Sequence, residues 1–159
     1  KENYKTNLIV HKSEEGFIRN GSNPVIKGTN LATGSITRIL GESLRKLYKY
    51  KSADCDIMVE DNFNLVDLGF EAYILHTPGH SIGSLSIIID DEIAIVGDAM
   101  FGVFKNSVFP PYAEDSVTMI KSWKKLLNTG CSLFIPAHGT ENSKELLQKE
   151  YEKYLNKVE

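Results

Sequence analysis

The stretch that decides the reading is HTPGHSIGS, His76 to Ser84. It follows AYIL (72–75), a short apolar run of strand character, and its Pro78-Gly79 pair turns the chain sharply just beyond that run. His76 and His80 therefore stand where a strand stops and a loop begins. Strand ends are rigid, while turns can bring polar side chains together without burying them in a core.

Two further segments have the same form. GDAMFG (97–102) follows IAIV (93–96), and PAHGT (136–140) follows SLFI (132–135). Each places a residue of metal-ligand type, Asp98 or His138, in a turn flanked by Gly or Pro. Read singly, each has an ordinary explanation. An Asp after Gly is most often a turn former, and a His after a strand is most often a partly exposed surface residue. Together, two imidazoles and a carboxylate at three successive strand ends suit zinc, iron or manganese, and a carboxylate can bridge two ions about 3.5–4 Å apart.

Outward from these turns the periodicity is mixed. NLIVH (7–11) reads as a strand, SEEG (13–16) opens a helical turn, and the Gly-, Asn-, Ser- and Thr-rich residues 20–34 read as a loop. Ser35 then fits an N-cap for a helix whose face is Ile36, Ile39, Leu40, Leu44, Leu47 and Tyr48, ending near Tyr50. CDIMVE (55–60), NLVDL (64–68) and FEAYILH (70–76) predict strands. SLSIIID (84–90) and EIAIVGD (92–98) follow, with Asp90-Asp91 as a tight connection; being nearly all apolar, they predict burial on both faces. A helix capped by Glu114 or Asp115 presents Val117, Ile120, Trp123, Leu126 and Leu127 and stops at Gly130. A last helix, capped by Asn142 or Ser143, presents Leu147, Tyr151, Tyr154, Leu155 and Val158. Strands in a block with helices interspersed and at the end predict a layered mixed α/β domain spanning residues 1–159.

Composition narrows the function classes. A hydrophobic fraction of 42% and a charged fraction of 25% are those of an ordinary globular chain with room for a core. The net charge of -3 and the dispersed charges argue against nucleic acid. The short basic cluster from Arg45 to Lys51 reads as a solvated helix face. No apolar run approaches the roughly 18 residues of a membrane span. Cys55 and Cys131 form no CxxC pair and read as reduced thiols. The chain begins at Lys1 rather than Met, so an upstream piece is expected to have been removed, and a cytoplasmic location is the default expectation.

The set HTPGHSIGS, GDAMFG and PAHGT resembles the signature of metallo-β-lactamase-fold hydrolases, glyoxalase II and its relatives included. The resemblance is clear over residues 55–140 and looser over 1–54. It implies that His80 is a ligand of one metal, that Asp98 is the bridging, catalytic carboxylate, and that His138 is a ligand of the second metal. Asp98 lies 18 positions after His80 and His138 lies 40 after Asp98, as that order requires. The implied fold is an αββα sandwich, of which this chain would be the C-terminal half. The implied cofactor is one or two zinc ions, with iron or manganese as alternatives. The implied reaction is attack of a metal-generated hydroxide on a small-molecule ester, thioester, lactam or phosphoester. His76 becomes a candidate for orienting a ligand or its loop. Lys105 is a candidate for meeting an anionic substrate, and Tyr112, with Phe101, Phe104 and Phe109, for walling a pocket.

One part of the family pattern has no counterpart here. Members carry a His-x-His-x-Asp-His motif ahead of these segments, yet His11 and His76 are the only histidines before His80. That leaves two ligands per ion, where a catalytic zinc takes three plus a water. The resemblance thus implies a chain inactive alone, whose sheet awaits a missing N-terminal segment or a second copy. An iron-dependent redox relative of the dioxygenase or diiron reductase type, and a folded fragment without catalysis, are the competing expectations.

Overall fold

The alternating apolar runs pair into one mixed sheet. The computed structural model describes residues 4–24, 27–47 and 49–155. In chain order the elements begin with β1 (Ile9–His11), α1 (Glu15–Asn20), β2 (Lys27–Gly28), α2 (Leu31–Leu47), β3 (Ile57–Val59), β4 (Phe63–Asn64) and β5 (Ala72–His76). They continue with β6 (Leu85–Ile89), β7 (Ile93–Gly97), β8 (Tyr112–Ala113), α3 (Ser116–Leu127), β9 (Leu133–Pro136), β10 (Asn142–Ser143) and α4 (Lys144–Tyr154). Six strands form the main sheet in the order β10-β9-β7-β6-β5-β4, while β1 pairs with β3 and β2 with β8 in separate two-stranded ribbons.

Direction within the sheet assembles the site. β5 and β6 are antiparallel, β6 and β7 are antiparallel, and β7 and β9 are parallel, joined through α3. β5, β7 and β9 therefore run the same way, and the three ligand-type turns leave the sheet at one edge. The β6–β7 connection is the tight turn expected: Asp90 and Asp91 both have φ of 52°, the left-handed pair of a type I′ hairpin, which Asp tolerates.

One face of the sheet carries the core. Ile88, Ala94, Val96 and Phe134 are fully buried against Met119, Ile120, Trp123 and Leu126 of α3 and Leu147 of α4. Burial of each large side chain stabilises the fold by about 1.5–3 kcal/mol. Asp115 caps α3 by accepting from the Val117 and Thr118 N–H groups, and Ser143 caps α4 by accepting from Leu146 N–H. α3 stops at Leu127, with Asn128 as its C-cap, ahead of Gly130.

Several expectations are corrected. The strands of the β6–β7 hairpin are buried on one face only. Ile87, Ile89, Ile93, Ile95, Leu133 and Ile135 alternate to the face away from α3 and α4. There Ile95, on a central strand, is 40% exposed and Ile135 is 38% exposed. The β1–β3 ribbon lies over the β5 side of this face, where Val10, Val59 and Ile74 are buried. NLVDL is not a strand: Asn64 Oδ1 accepts Val66 N–H, and Val66–Leu68 form a 3-10 turn ended by Gly69 at φ 88°.

α2 begins four residues before Ser35. Asn30 is its cap, with Oδ1 accepting Thr33 N–H at 3.0 Å while Thr33 Oγ1 accepts Asn30 N–H, and Ser35 lies inside the helix. The expected loop 20–34 thus contains β2 and the first turn of α2. The apolar stripe of α2 also points the unexpected way. Thr33, Gly34, Thr37 and Gly41 are half-buried, while Ile36, Ile39 and Leu40 are exposed, Ile39 by 77%. Tyr48, Val158 and the side chains of Leu44 and Leu47 lie outside the described residues. Among the described residues no helix is long and apolar enough to cross a membrane.

Candidate metal centre

The TPGH turn is held from behind by α3. Gly79 has φ of 132°, and a Cβ there would fall 2.2 Å from Met119 N, so only glycine fits against the helix. Gly79 O accepts Asp115 N–H, and Ser122 Oγ donates to Pro78 O. His80 follows on this rigid base, largely buried. Its Nδ1–H donates to Tyr112 O at 3.0 Å, which makes Nε2 the unprotonated, outward-facing nitrogen of the neutral ring. Glu114 reinforces the loop: its N–H donates to His80 O, and its carboxylate accepts Ile82 N–H.

Asp98 leaves β7 after a register shift between Ile95 and Gly97, and Gly97 adopts φ of 55°. Trp123 Nε1 donates to Ala99 O at 2.7 Å, so the indole at the centre of the core fixes the turn behind the carboxylate. His138 leaves β9 through Ala137, whose N–H donates to Gly97 O, tying the two turns together. His138 O accepts Gly102 N–H, and its ring lies 4.9 Å from that of Phe101.

The three predicted ligand residues meet. His80 Nε2 lies 3.7 Å from Asp98 Oδ2, and His138 Nε2 lies 3.5 Å from Asp98 Oδ1. Neither is a hydrogen bond at that length. Asp98 Oδ1 is buried with no hydrogen-bond partner, an unusual state for a carboxylate oxygen. Two donor atoms sharing a tetrahedral zinc at about 2.0–2.2 Å lie roughly 3.3–3.6 Å apart. Both spacings are close to that value, so this donor set fits an ion on either side of the carboxylate. The set is incomplete for either ion: among the described residues, no three His, Cys, Asp or Glu side chains gather at one point.

The other predicted residues fall around this line. Tyr112 contributes its backbone carbonyl, on β8, which β2 pairs and which Thr29 and Thr33 brace through the carbonyls of Pro110 and Pro111. His76 touches none of the three ligand-type residues; its Nε2–H donates to Ile82 O, in the loop after His80. Burial holds its basicity below that of an ordinary imidazole, with His11 and Lys125 pushing the same way against the Ile82 carbonyl and Asp61. Lys105 is exposed in the turn closed by the Phe104–Ser107 bridge. Phe101 lies tilted against the His138 ring, Phe104 is exposed, and Phe109 packs against Trp123 and Tyr154 at the core. Sequence reasoning missed Glu114 as a brace; a carboxylate serving a backbone N–H has no spacing signature.

No protein-family model matches the chain, and no curated protein is a significant match. Solved structures do match. A metallo-β-lactamase superfamily protein of Sulfolobus tokodaii matches 97% of this chain with 60% of its own, at TM-score 0.62 and 22% identity. The B3 metallo-β-lactamase BLEG-1 matches 93% of this chain with 65% of its own, at TM-score 0.60 and 20% identity. A metallo-β-lactamase family protein of Thermus thermophilus matches 98% of this chain with 54% of its own, at TM-score 0.61 and 15% identity. The fold is therefore that of the metallo-β-lactamase superfamily, and the chain spans 54–65% of the length of these three structures.

Proposed function

We propose that this chain carries the metal-binding edge of a metal-dependent hydrolase. His80 and Asp98 hold one divalent ion, and Asp98 and His138 hold a second. A mixed imidazole and carboxylate set suits zinc, with iron or manganese as alternatives. The observation that carries this reading is the buried, unpartnered Asp98 Oδ1, in a carboxylate set between two imidazole Nε2 atoms. Ions bound there supply Lewis acidity and lower the pKa of a water to about 7.

The chain's own residues orient this set. Tyr112 O keeps the His80 Nε2 lone pair facing Asp98, Phe101 packs on His138, and Trp123 holds the Ala99 carbonyl behind the carboxylate. Ile82 follows the His80 turn and Val103 and Phe104 follow the Asp98 turn, all exposed, and the exposed Lys105 after them is assigned to an anionic group of an ester, thioester, lactam or phosphoester substrate. Two protein ligands per ion are one short of the usual three, so the chain alone does not turn over substrate. The missing ligands come from an N-terminal segment or a second copy, which also covers the open sheet face.

Zinc binding to the purified chain, measured by competition with a chromophoric chelator, tests the assignment. The chain should bind zinc, and His80→Ala and His138→Ala should each lower affinity by at least about tenfold. A chain that takes up no zinc, or one whose affinity neither substitution changes, would overturn it.

A further inference from the structure

His11 and His76 form a pair that the metal centre does not use. His11 ends β1, in the small ribbon, and His76 ends β5, in the main sheet. Their rings stack with centroids 4.0 Å apart and planes 16° from parallel. The hydrogen bonds assign His11 as neutral and place a proton on Nε2 of His76. His11 Nδ1 accepts the Ser13 N–H and lies 2.7 Å from Ser13 Oγ, so the ring proton is on Nε2, which donates to Glu60 O at 3.0 Å. His76 donates from Nε2 to Ile82 O at 2.9 Å.

A further proton on His11 has to go to Nδ1, which displaces the Ser13 N–H. A further proton on His76 makes a cation that faces either a neutral or a charged ring at van der Waals distance. The surrounding charges do not rescue it. Lys125 lies behind His76, donating to its backbone carbonyl at 3.0 Å, and opposes the charge. Asp61 favours the cation, but burial outweighs it. On the His11 side the Glu60 carboxylate pairs first with Lys12, at 2.6 Å, and also attracts a charged His11, while Glu14 accepts Gly83 N–H.

The ribbon consists of two strands of three residues; besides the buried Val10 and Val59, its ties to the main sheet and the loop after β5 include this stack and the Glu14–Gly83 bond. We infer that the His11–His76 stack is an acid-labile latch that fastens the β1–β3 ribbon over the open sheet face. With both rings neutral the latch is closed. Protonation of the pair breaks the stack and frees the ribbon; the His76 Nε2–H stays on Ile82 O, because the added proton goes to Nδ1.

The sign follows from His76. Its closed-state basicity is lowered, so the open form takes up the proton first. The latch contributes fully above the ordinary imidazole value of 6.5 and is lost as pH falls from there through the lower closed-state value.

Hydrogen exchange of the full chain, corrected for intrinsic rates, reads this directly. Between about pH 7.5 and 5.5 the β1 and β3 amides should lose protection relative to those of β6, by up to about tenfold. His76→Phe keeps an aromatic face for His11 without a titrating nitrogen, and it should abolish that loss. His80→Asn/His138→Asn should retain it, which separates the latch from the metal centre. In the unaltered chain, the His76 ring resonance should titrate below its ordinary value over the same pH range, which stands even if a variant fails to fold. Ribbon protection that is independent of pH, or a loss that persists in His76→Phe, would overturn the latch.

Discussion

Asp98 sits in two environments at once. Oδ2 reaches towards the largely buried His80, while Oδ1, itself buried, faces His138, whose ring is 58% exposed. The His80 side is braced by the Tyr112 carbonyl and by Glu114. Asp98→Asn replaces a shared anionic ligand with a neutral amide and should lower zinc affinity at both positions, by more than the 10–100-fold typical of outer partners, read by the same chelator competition. Trp123→Phe should act from behind. It leaves the Ala99 carbonyl without its donor in the core and costs about 1–3 kcal/mol, seen as a lower urea midpoint. The three ligand-type residues were legible in the sequence because a His or Asp beside Gly or Pro at a strand end declares itself by residue type. The Tyr112 carbonyl was not, since every residue has a carbonyl and only the fold selects this one.

Elements were legible wherever a cap and an apolar period agreed. For α3, Asp115 and the face of Val117, Ile120, Trp123, Leu126 and Leu127 point the same way, and the helix lies within a residue or two of its expected bounds. The Thr118 hydroxyl and N–H, with the Val117 N–H, hold the Asp115 carboxyl below the ordinary range. This is the depressed case, so the cap contributes above about pH 4 and fades as pH falls through the lower folded value. Asp115→Ala should therefore cost about 1 kcal/mol in thermal melts at neutral pH, and the gap should close in strong acid. α2 misled because its apolar period and its buried side are different faces. Thr33 and Thr37 bond to the Pro110–Tyr112 strap and to β2, and this polar seam overrode the hydrophobic stripe. Ile39→Glu should then change the stability of the isolated chain by no more than about 0.5 kcal/mol, against roughly 2 kcal/mol or more for a buried isoleucine.

Among the described residues, α3 and α4 close one face of the six-stranded sheet, whereas on the opposite face Ile95 and Ile135 are exposed and their neighbours in the row half-buried. A parallel pair of three-residue strands is a fragment of a sheet, because parallel strands normally lie buried within larger ones. The same half-built plan explains the metal centre, where two ligands per ion converge on an edge that needs more. Ile95 tests the plan, being central in the sheet and yet open. If the face awaits a covering layer, the chain should associate with rising concentration in sedimentation experiments and bind an apolar dye. Ile95→Lys should suppress both while leaving the urea midpoint nearly unchanged, because its ammonium reaches solvent. If the ribbon or α2 instead closes the face in solution, the unaltered chain will sediment as a dye-free monomer. Ile95→Lys will then cost several kcal/mol, as an unpaired charge in a core does. Under the first arrangement association falls while stability holds, and under the second stability falls with no association to lose, so one substitution separates them.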